Sequence, residues 1–330
     1  MKPTIIARRR LLAALALGSL LAPLPAVHAA PANQPIRLVV PFPPGGGTDA
    51  VARLLGNHLG DTLGVPVVIE NRAGASGVIG IEAAARLPAD GNNIVIGQAD
   101  NLAVAPLLIK SVTYDAQADF QAVAHVADIP LLLVTATEQP YQTLADVVQA
   151  GRADPLLLTF GSAGVGTTPH LAGELFAQAA DIKMHHISYK GSAPALTDVV
   201  AGRVTLMVSS ISLAVPMIQS GKLRALAVTG AERSAALPDV PTVAEAANLP
   251  GFDVGTWYGI FAPKGTPQPA IERLNTGLND VLRQPEVRAF LETQEGGVVR
   301  GGEPQALAER LAADIPRWRQ VIADAGITLD

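Results

Sequence analysis

Short apolar runs alternate along the chain with segments in which apolar residues recur every three or four positions. Runs bounded by glycine or proline and rich in valine and isoleucine are typical of β-strands, whereas the longer period is typical of amphipathic helices. Their alternation predicts an α/β fold with mostly parallel strands, and the continuous apolar runs indicate strands buried on both faces. The predicted strands are IRLVVPF, VPVVIE, NNIVIGQ, AVAHVA, PLLLVTA, LLLTFG, MHHISY, VTLMVS, LRALAVT and DVGTWYGIFA.

The helical period is clearest in three segments, at residues 49–63, 267–282 and 304–325. A helix of this kind turns one apolar face toward the core and leaves its other faces in water. The residues that share one face of the first segment are Val51, Leu54, Leu55, His58 and Leu59.

The chain of 330 residues is long enough for two domains, at roughly 150 residues per domain. Proline and glycine interrupt the pattern most clearly at residues 138–140 and 238–259. A chain that leaves lobe 1 near residue 130 and returns near residue 254 would place residues 30–130 and 255–330 in lobe 1. Residues 131–254 would then form lobe 2, and a cleft between the lobes would hold the ligand.

Residues 1–29 have the three parts of a secretory signal peptide. MKPTIIARRR is basic, LLAALALGSLLA is a twelve-residue apolar run, and PLPAVHAA supplies small residues for cleavage after Ala29. Twelve residues fall short of the roughly 20 that span a bilayer, so export rather than anchoring is predicted. The arginines also suit a twin-arginine signal, although the general export route is favoured. We therefore expect a periplasmic protein if the source is a Gram-negative cell.

Composition narrows the chemistry that the chain could perform. Cysteine is absent, which excludes zinc-thiolate sites and cysteine nucleophiles. The predicted signal takes four of the 24 basic residues and none of the 29 acidic ones, so the mature chain carries a net charge of about −9. A nucleic acid or an anionic membrane requires a basic surface, and neither is expected as a partner.

The segment PFPPGGGTD, residues 41–49, joins a predicted buried strand to the first helix. Its glycines let backbone amides approach a ligand closely, and Thr48 or Asp49 can cap the helix. The amides at a helix N-terminus carry about half a positive charge, which can hold a carboxylate without lysine or arginine. An ordinary strand-turn-helix connection has the same composition. Asp49 could also meet a ligand ammonium, although a capping role is favoured.

Three further loops before predicted helices are rich in glycine, serine and threonine. They are NRAGASGVIG at 71–80, GSAGVGTTPHLAGELF at 161–176 and YKGSAPALTDVV at 189–200. Loops at the carboxyl ends of strands in an open α/β sheet converge on the ligand, so the four loops predict one site. The spacings of nucleotide-binding loops and of the GxSxG serine elbow are missing from these loops.

The histidines give a weak signal for metal binding or catalysis. His170 and Glu174 are four residues apart on a predicted helix, and a local polar pair is favoured because no third ligand is evident. We therefore predict no metal and no cofactor. An exported serine hydrolase is the enzymatic alternative, and it requires His170 within hydrogen-bond distance of Ser162.

Several segments together resemble the Bug family, the extracytoplasmic solute receptors of tripartite tricarboxylate transporters. The resemblance implies a type II periplasmic-binding-protein fold, with two α/β lobes around a ligand cleft. It also implies a monomeric binding protein without enzymatic activity that closes on a small carboxylate: a dicarboxylate, a tricarboxylate, an acidic amino acid or an aromatic acid. The segments that carry the resemblance are PFPPGGGTD, ENRAGASGVIG, TFGSAGVGTTPHLAGELF, HISYKGSAPALTDVVAGRV, GKLRALAVTGAERSAALPDVPTVAEA and WYGIFAPKGTP.

The same resemblance implies the ligand contacts and the partner. The first-lobe contacts would be Phe42, Pro43, Pro44, Gly45, Gly46, Thr48, Gln98, Ala99 and Asn101. The second-lobe contacts would be Ser162, Gly166, Thr167, Thr168, Tyr189 and Ser209. The chain departs from the family where Ser209 and Ser210 replace an aspartate-containing stretch and where Pro169 replaces a hydroxyl residue, which favours a plain carboxylate over an amino acid. The ligand would pass to a membrane permease of the tripartite type or to a sensor kinase.

Overall fold

The computed structural model describes residues 34–324 and 326–327, so the predicted signal peptide lies outside the described residues. Short 3-10 and π-helical turns cover Ala75–Gly77, Asp100–Val104 and Phe290–Gln294. The strands are β1 (Ile36–Val40), β2 (Val67–Asn71), β3 (Asn93–Gln98), β4 (Phe120–Ala136), β5 (Thr159–Ser162), β6 (His185–Ser188), β7 (Leu206–Ser210), β8 (Leu223–Val228), β9 (Gly255–Pro263) and β10 (Val298–Val299). The helices are α1 (Gly47–Leu63), α2 (Val78–Ala85), α3 (Ala105–Leu108), α4 (Leu144–Ala153), α5 (Thr168–Ala179), α6 (Ser192–Val200), α7 (Ile211–Gln219), α8 (Val243–Ala247), α9 (Gln268–Leu282), α10 (Pro285–Ala289) and α11 (Pro304–Asp324).

One long strand, β4, is shared by the two halves of the sheet. The strand order is β2-β1-β3-β9-β4-β7-β5-β6, and β8 and β10 also pair with β4. Residues Phe120–Pro130 of β4 pair with β9, whereas residues Leu131–Ala136 pair with β7 and β8. We call the half of the sheet with β1 to β3, β9, β10 and Phe120–Pro130 the first lobe. We call the half with Leu131–Ala136 and β5 to β8 the second lobe.

Strand direction differs from the mostly parallel sheet that the sequence predicts. The pairs β1-β2, β1-β3, β5-β6 and β5-β7 are parallel, whereas every pair that includes β4 or β9 is antiparallel. The reason is that β4 and β9 carry the chain between the lobes in opposite directions. In addition, β4 joins the two separately predicted strands AVAHVA and PLLLVTA into one.

Pro130 and Gly255 face each other where the two long strands pass between the lobes. Proline has no N–H to donate to a ladder, and the partners of β4 change directly after Pro130. A side chain on Gly255 would place its Cβ 2.7 Å from the carbonyl oxygen of Ile129, so this close approach requires glycine. The interruption predicted at residues 138–140 belongs to the turn that follows β4.

Apolar side chains form one cluster inside each lobe and a third cluster that runs through both. The predicted face of α1 is confirmed, because Val51, Leu55 and Leu59 are buried in the core of the first lobe. The segments predicted at 267–282 and 304–325 form α9 and α11. Since α11 packs against both β4 and α5, it also ties the second lobe to the C-terminal part of the chain.

Candidate ligand-binding site

The glycine-rich loop between β1 and α1 is held closed by the carboxylate of Asp49. One oxygen of Asp49 accepts hydrogen bonds from the Gly45 amide at 2.9 Å and from Arg53 Nε at 2.8 Å. The other accepts a hydrogen bond from Asn71 Nδ2 at 2.8 Å. Burial raises the pKa of Asp49, but these hydrogen bonds bring it below its ordinary value. The predicted capping role is wrong, because Gly46 is the N-cap residue of α1 and no side chain caps the helix. Asp49 instead lies in the first turn, where it closes the loop and pairs with Arg53.

The loop after β3 meets this glycine-rich loop through buried side chains. Thr48 Oγ1 donates to the side chain of Gln98 at Oε1, over 2.9 Å, and the backbone N–H of Gln98 donates to Asn101 Oδ1, over 3.0 Å. Ala99 and Asn101 are fully buried, and Asn101 Nδ2 has no hydrogen-bond partner among the described residues. The structure thus brings together Thr48, Gln98, Ala99 and Asn101 as the sequence analysis expects, although their contact with a ligand stays a prediction.

Asp100 links the two lobes, and the sequence analysis missed it. Its Oδ1 accepts a hydrogen bond from the Thr168 amide at 2.7 Å and another from the Thr168 hydroxyl, both at the start of α5. Gln98 Nε2 donates to Oδ2 at 3.2 Å. Burial raises the pKa of Asp100, although these hydrogen bonds oppose the rise. A single carboxylate directly after a buried apolar strand was the signal that could have revealed it.

The glycine-rich loop of the second lobe begins at the end of β5 and ends at α5. Thr167 is the N-cap residue of α5, but its hydroxyl donates to the Gly164 carbonyl at 2.8 Å rather than to the helix. The Gly166 amide donates to His170 Nδ1 at 3.1 Å, and the amide of Gly164 donates to Ser162 Oγ at 3.2 Å. Ser162, Gly166, Thr167 and Thr168 therefore belong to one compact loop that faces Asp100.

The arrangement of histidines differs from the one that the hydrolase alternative required. Ser162 Oγ shares a hydrogen bond of 2.7 Å with His186 Nε2, not with His170. The His170 and His186 rings stack with their centroids 3.9 Å apart, and Phe160 lies against His186 on β6. His170 Nε2 lies 3.6 Å from Glu174, which is the predicted local pair. Because Ser162 is fully buried, its hydroxyl is closed to a substrate in this conformation.

Replacing His186 with glutamine should make the protein less sensitive to acid. Burial, followed by the nearby His170 and His185, lowers the pKa of His186 from 6.5 to about 3. Between these pH values the unfolded chain binds a proton that the folded chain does not, so the free energy of unfolding falls as the pH falls from 6.5 toward 3. Urea unfolding at pH 7 and pH 4 should therefore show a smaller loss in His186→Gln than in the wild type. His58→Gln, at a histidine on α1 outside this cluster, should behave as the wild type. Equal losses in wild type and His186→Gln would contradict this account.

Tyr189 and Ser209 make their hydrogen bonds inside the second lobe. The Tyr189 hydroxyl donates to Asp198 Oδ2 at 2.8 Å, and Asp198 also pairs with Arg203. Ser209 is buried in β7 and its hydroxyl donates to the carbonyl of Ser210. Their predicted role in ligand binding stays a prediction. Arg72, in the loop after β2, pairs with Glu70 at the surface.

Glu295 is a second buried carboxylate that the sequence analysis missed. It is 1% exposed, follows the π-helical turn Phe290–Gln294, and accepts a hydrogen bond from Ser212 at the start of α7. A methyl group on Gly47 would lie 3.4 Å from Glu295 Oε2 and 3.6 Å from the Tyr258 hydroxyl, which is itself hydrogen-bonded with Thr48. Burial raises the pKa of both Glu295 and Tyr258. No sequence spacing connects Glu295 with the first loop, since the fold alone brings them together.

The other features searched for in the described part of the chain give no ligand site that includes these loops. A surface cavity of about 680 Å³ lies at the far end of α1 and contains none of the predicted contacts. Within residues 34–324 and 326–327, no three histidine, aspartate or glutamate side chains gather to hold a metal. No helix of the described residues has the length and apolar character needed to cross a membrane.

The sequence matches the model of the tripartite tricarboxylate transporter family receptor over residues 51–327. The chain belongs to this receptor family. The protein BugT of Bordetella pertussis is 37% identical to it over 297 residues, which cover 90% of this chain and 90% of BugT. The resemblance to Bug receptors that the sequence motifs carry is thus confirmed.

Two solved structures show the fold that this receptor family member shares. Rpa4515 of R. palustris, solved with adipate, is 36% identical, covers 89% of this chain and 98% of its own, and has a TM-score of 0.83. MatC of Rhodopseudomonas palustris, solved with malate, is 34% identical, covers 88% of this chain and 99% of its own, and has a TM-score of 0.78. The type II periplasmic-binding-protein fold, with two α/β lobes around a ligand cleft, is therefore confirmed. The family is one of solute-binding receptors.

Proposed function

We propose that this receptor captures a small carboxylate between its lobes by hinge closure. The observation that carries the proposal is the meeting of two glycine- and threonine-rich loops, from different lobes, at the N-termini of α1 and α5. Asp100 and Thr168 join them across the cleft. Ligand contacts to both lobes exist only in the closed form, so ligand would shift the population toward closure.

The chemistry of the loops suits a carboxylate. The first amides of α1 have no intrahelical partners, and the helix dipole adds positive potential there. At the start of α5 the Thr168 amide already donates to Asp100, and Pro169 has no N–H. The hydroxyls of Thr48 and Thr168 lie beside these amides and now donate to Gln98 and Asp100. Each would turn its single proton toward a bound carboxylate. The adipate and malate seen in Rpa4515 and MatC are carboxylates, which supports this ligand class for the present chain.

The hinge in this proposal follows the two long strands. Residues 30–130 and 255–330 would move as one lobe and residues 131–254 as the other. The change of β4 partners after Pro130 and the start of β9 at Gly255 support these boundaries. Rotation about this pair of neighbouring strand segments would open and close the cleft.

The cellular setting belongs to the same proposal. Export through the predicted signal peptide of residues 1–29 would place a monomeric receptor in the periplasm, and a tripartite permease would receive the ligand. A sensor kinase is the alternative recipient. The hydrolase alternative lacks support, because Ser162 is buried and its partner is His186 rather than His170.

A thermal-shift screen of the refolded protein tests the proposal. Unfolding and refolding removes carried-over ligand, and the panel contains dicarboxylates, tricarboxylates, acidic amino acids and aromatic acids. A ligand at about 100 times its dissociation constant adds roughly 2.7 kcal/mol to the free energy of unfolding, which raises the melting temperature measurably. A rise with at least one carboxylate is expected. If no carboxylate raises the melting temperature, the carboxylate receptor function is refuted.

Removing single hydroxyls from the two loops should weaken binding of that carboxylate. Thr48→Val and Thr168→Val each delete a donor at a helix N-terminus, and one charge-assisted hydrogen bond contributes about 1.5 to 3 kcal/mol. We expect affinity losses of roughly 10- to 100-fold for each, measured by isothermal titration calorimetry. Thr197→Val, at an exposed position of α6, is the matched control and should bind as the wild type. Wild-type affinity in both loop variants would place the ligand elsewhere.

A further inference from the structure

Glu295 presents a buried hydrogen-bond acceptor without a donor. Its Oε2 has no partner among the described residues, although the residue is only 1% exposed. The same oxygen faces the glycine-rich loop, because it lies 3.4 Å from the position that a Cβ on Gly47 would take. An unpaired carboxylate oxygen in such a place requires a donor, and a cationic donor would stabilise it most.

The groups that act on Glu295 and on the nearby Asp100 include no cation among the described residues. The group that acts on the Glu295 carboxylate is the Ser212 hydroxyl, and those that act on Asp100 are Thr168 and Gln98. Hydrogen bonds connect Tyr258 with Asp100 through Thr48 and Gln98, and the charge of Glu295 acts on Tyr258 at the other end. Asp49, the third buried acid near the loop, already pairs with Arg53.

Two buried carboxylates without a basic partner are energetically unfavourable in a closed cleft. Glu295 lies between Gly47 of the first lobe and Ser212 of the second, so opening of the lobes would give a ligand access to its Oε2. The ligand itself can then supply the missing cation. Asp100 already accepts three hydrogen bonds, which makes Glu295 the direct partner and Asp100 a source of negative potential. The same potential would repel the second carboxylate of a plain dicarboxylate.

We infer that the ligand carries an ammonium group, which binds Glu295, in addition to the carboxylate that the loop amides hold. This rests on the proposed receptor function and names the substrate class as amino acids or amino-carboxylates rather than plain dicarboxylates. It reverses the preference drawn from Ser209 and Ser210, because the negative charge comes from the first lobe instead of from β7.

Matched pairs of ligands test the inference by calorimetry on the refolded wild-type protein. The pairs are aspartate with succinate, glutamate with glutarate, and 4-aminobutyrate with butyrate. In at least one pair the aminated member should bind about tenfold tighter or better. Plain acids that bind as tightly as their aminated partners, or more tightly, would overturn the inference and leave the receptor function intact. Absence of binding by every member would overturn the inference, whereas the receptor function is refuted only if the wider carboxylate screen also shows no binding.

The isosteric variant Glu295→Gln identifies the residue responsible. It should reduce affinity for the aminated member about tenfold or more, while affinity for the plain acid is unchanged or rises. Glu286→Gln, at an exposed glutamate, should keep the wild-type preference. An undiminished preference for the aminated member in a folded Glu295→Gln protein would overturn the role of Glu295. If that variant does not fold, the wild-type pairs still decide whether an ammonium is required.

Discussion

Replacing Gly47 with valine should nearly abolish ligand binding, with an affinity loss of roughly 100-fold or more. Gly47 is the first residue of α1 and lies in the space bounded by Glu295 and Tyr258. A Cβ at this position would be 3.4 to 3.6 Å from their oxygens, which is ordinary contact, so a methyl group alone fits. The two γ-carbons of valine would extend into the space beside the loop amides and displace the ligand.

A graded series separates this effect from misfolding. Gly47→Ala should lose less affinity than Gly47→Val, and circular dichroism should show that both remain folded. Thr197→Val is the control, because Thr197 is exposed on α6 and is not among the predicted ligand contacts. Calorimetry with the carboxylate that stabilises the wild type measures each affinity. If Gly47→Val is folded and binds as the wild type, the ligand does not approach the start of α1.

Replacing Trp257 with alanine should reduce the free energy of unfolding by about 3 to 5 kcal/mol. The indole is fully buried on β9, and its Nε1 donates to Asp314 Oδ2 at 2.6 Å. Asp314 on α11 is 1% exposed, so the substitution leaves both a cavity and a carboxylate oxygen without its donor. The contact ties β9, a strand that passes between the lobes, to the C-terminal helix.

Urea unfolding followed by circular dichroism measures this loss. Trp257→Phe keeps an aromatic ring near Phe261, so it removes the hydrogen bond but leaves a smaller cavity than alanine does. We therefore expect a smaller loss of about 1 to 3 kcal/mol. The alanine variant should lose more free energy of unfolding than the phenylalanine variant. A loss below about 1 kcal/mol in Trp257→Ala would mean that the cavity and the unpaired Asp314 cost far less than buried groups usually do.

Local patterns predicted the elements of this fold well. The apolar face of α1, the helices at 267–282 and 304–325 and the position of the glycine-rich loops all depend on residues close together in the sequence. The prediction of mostly parallel strands was wrong, because strand direction depends on the topology of the whole chain. The apolar run through β4 continues across Pro130, and nothing in its period shows that its partners change there.

The candidate site could be predicted only in part, for the same reason. Thr48, Gln98, Asn101 and Thr168 follow strands or begin helices, so sequence patterns or family motifs point to them. Glu295 comes to the first loop from a distant part of the chain and belongs to no motif in the sequence. Likewise, the pairing of Ser162 with His186 depends on the register of β5 beside β6, which the spacing of His170 could not reveal.

The central claim, that a ligand closes the two lobes, is tested most directly by a distance between them. The chain has no cysteine, so cysteines introduced at the exposed positions Asp61 on α1 and Thr197 on α6 can be spin-labelled uniquely. Double electron-electron resonance then gives the distance distribution with and without the carboxylate that stabilises the refolded protein. We expect a broad distribution without ligand and a single shorter distance at saturation. An unchanged distribution at saturating ligand would contradict closure of the lobes.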